Sequence, residues 1–299
     1  MATASSPRGA PSGETAVSFE FFPPKTDQGG KRLEETVRQL AELDPRFMTV
    51  TYGAGGSTRG LTRQWVDRIG TVADLPVAHH LTCVGATRDE VDTLARDLWR
   101  DGIRHIVALR GDAPQGAARY EPHPDGYPFA ADLVEGLARL ADFEISVGAY
   151  PEVHPEAASA SADMDNLKRK LNAGATRAIT QYFFEVETFL RFRDRARAAG
   201  ITHEIVPGVI PVLNLESLIR FSRACGATVP RWLKEMFDGL EEDEETRQMI
   251  AASVAIEQCT RLRAEGVDSF HFYTLNRASV TRAVCHALGV RGPAERAAA

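Results

Sequence analysis

From Val17 to Leu275 the chain alternates short runs of β-branched and aromatic residues with amphipathic helical patterns. The runs are VSFEFF (17–22), FMTVT (47–51), VAHHLTC (77–83), RHIVALR (104–110), EISVGAY (144–150), RAITQYF (177–183), EIVPGVI (204–210) and SFHFYTL (269–275). A strand followed by a crossover helix returns the chain parallel to itself, so this alternation predicts a parallel sheet covered by helices. Eight such units in 299 residues, with no Pro/Gly/Ser-rich linker between them, predict one α/β domain closed as a (β/α)8 TIM barrel over residues 16–290. Within the crossovers, KRLEETVRQLAEL places Leu33, Val37, Leu40 and Leu43 on one stripe, and EVDTLARDLWRDG closes on Gly102, where a helix C-cap belongs. Residues 229–266 hold more helix than one crossover needs. Extra helices are therefore expected before the last strand, one of them starting in the acidic run Glu241 to Glu245, where the helix dipole favours negative charge. The segments 1–15 and 291–299, rich in Ala, Ser, Pro and Gly, are expected to be disordered tails.

Composition removes several classes of function. A formal net charge of -6 argues against nucleic acid or an anionic membrane as the main partner, since both need a basic face. No segment approaches eighteen apolar residues without charge, and the N-terminus has no apolar core of a signal peptide. Cys83, Cys225, Cys259 and Cys285 are widely spaced, with neither a C-x-x-C pair nor a disulfide framework, which fits a reduced cytoplasm.

Barrels of this kind carry their sites at the C-terminal ends of the strands. Those ends are polar here: Glu20, then Thr51 and Tyr52, His80 and Thr82, Arg110 and Asp112, Tyr150, Glu152 and His154, Gln181, and Tyr273, Asn276 and Arg277. Glu20 stands out because it interrupts Phe19, Phe21 and Phe22. A carboxylate beside those rings loses hydration and is costly to keep ionised, so it is either paired with a cation, protonated, or retained for a task. Three other readings are weaker. YGAGGSTRG follows a strand like a dinucleotide loop, but Thr58 stands where G-x-G-x-x-G requires glycine. His79, His80 and His154 do not make a metal site, because adjacent strand residues point to opposite faces. Lys25, Lys31, Lys168, Lys170 and Lys234 fall in loops or helices, not at the strand ends where a Schiff-base lysine would sit. What remains is a pocket suited to a flat heteroaromatic ligand. ASADMDNLKRKLNAGA, with Ser161 or Asp163 as cap and Asn166, Arg169 and Lys170 expected in the first turns, offers a helix start for a pyrophosphate.

SFEFFPPK, VTYGA, HLTC, GIRHIVALRGD, AYPEVHPEA, NLKRK, GATRAITQYFF, PGVIPV, MFDGL and FHFYTLNRA, in this order from Val17 to Val290, resemble the bacterial type of the methylenetetrahydrofolate reductase family. The resemblance implies a barrel flavoprotein that binds FAD without a Rossmann domain. It would use NADH or NADPH to reduce 5,10-methylenetetrahydrofolate to 5-methyltetrahydrofolate by a ping-pong reaction, as a cytoplasmic homo-oligomer. It further implies Glu20 as general acid, shielded by Phe19, Phe21 and Phe22 and so expected to be protonated near neutral pH, and Asp112 as the carboxylate beside flavin and pterin. Thr51, His80, Leu109, Arg110, Gly111, Asp112, Ala130, Tyr150 and His154 would hold the flavin, and Asp163, Asn166, Arg169 and Lys170 its adenosine diphosphate half. Gln181, Leu215, Tyr273 and Arg277 would join Glu20 on the substrate side. Leu215 departs from the family pattern, which has a phenylalanine packed on substrate at that place. Another barrel flavoprotein, one oxidising an amino acid, and a non-catalytic flavin- or folate-binding sensor are the alternatives.

Overall fold

The computed structural model describes residues 14–52, 59–113 and 119–293. Most of YGAGGSTRG and most of both expected tails therefore lie outside the described residues. Within them, nine parallel strands are β1 (Ala16–Phe21), β2 (Phe47–Val50), β3 (Val77–Thr82), β4 (His105–Leu109), β5 (Glu144–Ala149), β6 (Arg177–Thr180), β7 (Glu204–Val206), β8 (Gly208–Val209) and β9 (Ser269–Tyr273). Nine helices lie between them and a tenth follows the last: α1 (Asp27–Ala41), α2 (Arg59–Ala73), α3 (Arg88–Arg100), α4 (Ala130–Leu140), α5 (Ala160–Asn172), α6 (Val186–Ala198), α7 (Leu215–Cys225), α8 (Arg231–Phe237), α9 (Glu244–Ala264) and α10 (Ser279–Ala287). The strand order β7-β6-β5-β4-β3-β2-β1-β9-β8 is that of a (β/α)8 barrel, with α8 and α9 as the extra helices before the last strand.

The expected seventh strand is split in two at Pro207. Proline has no N–H for the ladder, so β7 pairs with β6 before it and β8 pairs with β9 after it. The carbonyl of Pro207 still accepts the His271 N–H at 3.0 Å, and the barrel closes across this break. Gly208 is required there, because a Cβ would sit 2.2 Å from the Thr180 carbonyl oxygen. In β1, strand alternation sends Val17, Phe19 and Phe21 outward into the layer beneath the helices, where α1 returns Leu33, Val37 and Leu40. The helix signals act as read. Gly102 takes φ +91 just beyond α3, and α9 is capped by Asp243 with Glu244 and Glu245 in its first turn. At the far end Arg291 donates to the carbonyls of His286 and Val290.

Candidate active site

The alternation that turns Phe19 and Phe21 outward turns Ser18 and Glu20 inward, and Glu20 lies in register with Thr49 of β2 and Tyr273 of β9. Its Oε2 is 3.3 Å from His80 Nε2 and 3.5 Å from His271 Nε2. Behind it, His271 Nδ1 is 2.8 Å from Ser18 Oγ. An ionised carboxylate only accepts, so His271 Nε2 carries the proton facing Glu20, and in the neutral ring Nδ1 accepts from the Ser18 hydroxyl. The His80 contact has ion-pair length without hydrogen-bond geometry, which leaves His80 Nε2 lacking a hydrogen-bond partner among the described residues. Burial by itself would raise the Glu20 carboxyl. The hydrogen bond from His271, the contact with His80 and the charges of both imidazoles outweigh it and hold the group at about 2. The expected neutral acid is thus an anion in this open site. Phe19 and Phe21 face away and Phe22 is 46% exposed, so the rings that were expected to shield the carboxyl do not surround it.

On the opposite side of the mouth, β4 ends in Leu109, followed by Arg110, Gly111 and Asp112. Arg110 ion-pairs with Glu156 and lies 4.4 Å from the centre of the Tyr120 ring. Gly111 turns the backbone at φ +87, where a Cβ would meet Val84 at 2.5 Å, and this turn leaves Asp112 exposed. Beyond β5, Tyr150 and His154 meet edge to face at 4.6 Å. His154 Nδ1 accepts the Glu156 N–H at 3.0 Å, so in the neutral ring Nε2 is a donor. Burial first, then the positive charge of Arg110, lowers this imidazole and favours that neutral form. Thr51 follows β2, with its N–H on the Phe21 carbonyl at 2.8 Å, and Ala130 opens α4.

The helix after β5 starts earlier than expected. Ser159, not Ser161 or Asp163, is the N-cap of α5, and Arg169 and Lys170 lie in its last turn. The helix-start argument for a pyrophosphate therefore does not hold at those cations, which instead complement the C-terminal end of the dipole. Asp163, Asn166 and Lys170 still share one stripe at i, i+3 and i+7. Asp163 accepts the His154 N–H at 2.9 Å, Asn166 accepts from Arg169 at 3.3 Å, and Lys170 donates to the Gly148 carbonyl of β5. Burial brings the Lys170 ammonium down to about 8, only partly offset by the charge of Asp163.

On the substrate side, Gln181 follows β6 and accepts its neighbour's N–H, and Leu215 opens α7 half-buried against the core. Tyr273 donates to the Thr180 carbonyl at 2.8 Å, and Arg277 pairs with Glu244 at 2.7 Å. Sequence reasoning missed Ser18 and His271, the chain behind Glu20. Their signal was period-two alternation: each lies two residues before an inward residue, Glu20 or Tyr273.

A half-buried carboxylate with buried imidazoles and hydroxyls, converging at the C-terminal mouth of a (β/α)8 barrel, defines the enzyme class of this fold, not a structural barrel. The chain matches the family described as methylenetetrahydrofolate reductase over residues 6–289. It is 51% identical over 279 residues to the 5,10-methylenetetrahydrofolate reductase of Escherichia coli, covering 93% of this chain and 92% of that protein. Methylenetetrahydrofolate reductase (NADH) 1 of Zea mays is 35% identical, over 88% of this chain and 46% of the longer plant protein. A solved structure from Clostridium thermocellum, described as binding two copies of 5-methyl-5,6,7,8-tetrahydrofolic acid, shares the fold with a TM-score of 0.64 at 18% identity, over 92% of this chain and 94% of that one. The chain belongs to the methylenetetrahydrofolate reductase family, and so to the oxidoreductases of folate one-carbon chemistry.

Proposed function

We propose that this protein reduces 5,10-methylenetetrahydrofolate to 5-methyltetrahydrofolate in the cytoplasm, using FAD and a reduced nicotinamide nucleotide that takes turns with folate at one site. The observation that carries the reading is the Glu20–His271–Ser18 chain at the mouth of a barrel of this family. The described residues contain no group of three or more metal-ligating side chains and no helix long and apolar enough to cross a membrane, and all four cysteines are free thiols.

The residues fit a flavin. His80 Nε2 and Thr82 Oγ1 are buried without hydrogen-bond partners among the described residues, and His154 offers a donor from a braced turn. Thr51, His80, Leu109, Arg110, Gly111, Asp112, Ala130, Tyr150 and His154 would hold its ring side, and Asp163, Asn166, Arg169 and Lys170 its phosphates and adenosine. When bound, FAD supplies the hydride chemistry, and the protein supplies orientation and proton handling.

Opening the folate's five-membered ring needs a proton on the departing amine. In the open site Glu20 is ionised and 16% exposed. A flat ligand over the mouth removes that remaining hydration and moves the carboxyl upward, so that Glu20 Oε2 takes up a proton, given by solvent or by the imidazolium form of His271, whose ring is then left neutral. Delivery to the amine then restores an anion beside the developing cation. Asp112, exposed on the rim, would disfavour negative charge on a neighbouring flavin. Gln181, Leu215, Tyr273 and Arg277 would orient the substrate. The test is anaerobic: NADH or NADPH should bleach the flavin absorbance of the purified protein, and 5,10-methylenetetrahydrofolate should restore it. A protein that binds neither flavin nor folate overturns the reading, and flavin bleached by an amino acid instead favours the amino-acid-oxidising alternative.

A further inference from the structure

Past Tyr273 the chain takes a route that the reaction chemistry does not explain. Leu275 and Asn276 are both left-handed, at φ +52 and +55. Asparagine tolerates that region, but a branched apolar residue does so only where its surroundings impose it. The surroundings are the end of β1. Asn276 Oδ1 accepts the Phe22 N–H at 3.0 Å, and its Nδ2 donates to the Phe22 carbonyl at 2.8 Å. One side-chain amide thus supplies both bonds that a neighbouring strand residue would make, beyond the last ladder pair, Glu20 with Tyr273. Pro23 and Pro24 follow, so Phe22, just past β1, is the last residue before the prolines with an N–H to offer.

The same loop fixes Glu20 from below. Thr274 donates to the Glu20 carbonyl from its hydroxyl at 2.7 Å and from its N–H at 3.2 Å, and its hydroxyl accepts the Asn276 N–H at 3.2 Å. Thr36 of α1 donates to the Asn276 carbonyl at 3.2 Å. On the other flank, the Thr51 N–H holds the Phe21 carbonyl. The Glu20 backbone is therefore held at its own carbonyl and at the next two residues, while its carboxylate must stay within about 3.5 Å of two imidazoles.

We propose that Asn276 is a positioning residue for Glu20: its amide clamps Phe22 and keeps the carboxylate in line with His80 and His271. This rests on the reading of Glu20 as the proton carrier for folate. Asn276→Gly keeps a backbone suited to the left-handed region and removes the amide, so folding is not the variable. Asn276→Asp keeps the acceptor for Phe22 N–H and replaces the donor with a charge, and serves as the second variant.

Two measurements on each purified variant decide the matter. Rapid mixing should show the folate half-reaction slowed by about ten- to a hundredfold, as expected when a reacting group is misplaced, with the nicotinamide half within about twofold. NMR of 13C-labelled histidines should show the His80 and His271 signals, identified by their loss in His80→Asn and His271→Asn, displaced while the His105 and His203 signals stay. A lower melting temperature with unmoved imidazole signals, or equal slowing of both half-reactions, overturns the proposal. Glu20→Gln run alongside separates the failures. If it too spares the folate half, the reading of Glu20 falls; if it does not, only the role of Asn276 falls.

Discussion

At the bottom of the barrel Arg177 opens β6, and its guanidinium, 7% exposed, pairs with Glu144 at the start of β5 and with Glu204 at the start of β7. Arg46 adds a second cation to Glu204 at 2.7 Å, and His105 bonds Ser146 at 2.8 Å beneath the edge of Phe47. Burial, followed by the charge of Arg177, keeps the His105 imidazole well below its ordinary range. At the mouth, no arginine among the described residues pairs with Glu20; its Oε2 meets two imidazoles. Permanent cations neutralise permanent anions at the bottom, so that end holds its charge state across the neutral range and serves stability. The mouth balances a carboxylate against groups that exchange protons, which is poor bracing but suits proton transfer.

The largest effect expected lies at the mouth. Glu20→Gln should lower folate turnover by about 10²- to 10⁴-fold, as for a lost general acid, and leave flavin reduction by nicotinamide within about tenfold. Its melting temperature should change little. Equal loss of both half-reactions in a destabilised protein would make the mouth a second structural end and erase the contrast.

At the bottom, the double variant Glu144→Gln and Glu204→Gln leaves the Arg177 guanidinium buried without a counter-charge. Denaturant melts should show a loss of about 3–5 kcal/mol, with kcat for folate reduction unchanged. A large fall in kcat at unchanged stability would reverse the assignment.

His79 belongs to neither end. It points outward from β3, 1% exposed, and neither ring nitrogen has a hydrogen-bond partner among the described residues. Burial, and then the charge of its neighbour His80, lowers it to about 3 from the usual 6.5. The unfolded chain therefore binds a proton between those values that the folded chain refuses. Stability from this residue is full above pH 6.5 and is lost as pH falls toward 3. Glu20, held at about 2 against an ordinary 4.5, acts in the same direction but only below pH 4.5. Replacing His79 by leucine should flatten the acid side between pH 6.5 and 4.5 by about 2 kcal/mol, read from melts of both proteins across that interval. Parallel curves for parent and variant would show that His79 finds a proton acceptor in the folded protein.

The smallest effect concerns the wall at α7. Leu215→Phe should tighten folate or nicotinamide binding by about 0.5–1.5 kcal/mol through added aromatic contact. Unchanged Michaelis constants for both would place Leu215 outside the mouth.

The sequence determined the barrel, the extra helices α8 and α9 and the polar rim, because strand alternation, helix stripes and caps are written over a few neighbouring residues. It also placed Glu20 at a strand end and separated His79 from His80. Where local signals compete, it misplaced details: Ser159, Ser161 and Asp163 are all capping types, and in the folded chain it is Ser159 whose hydroxyl takes the Ala162 N–H. The charge state of Glu20 was beyond its reach. That state depends on His271, 251 residues away, and the Asn276 clamp on Phe22 spans 254. Both contacts exist only because β9 closes the barrel against β1. A pKa is set by groups a few ångströms away in space, and closure alone decides which groups those are.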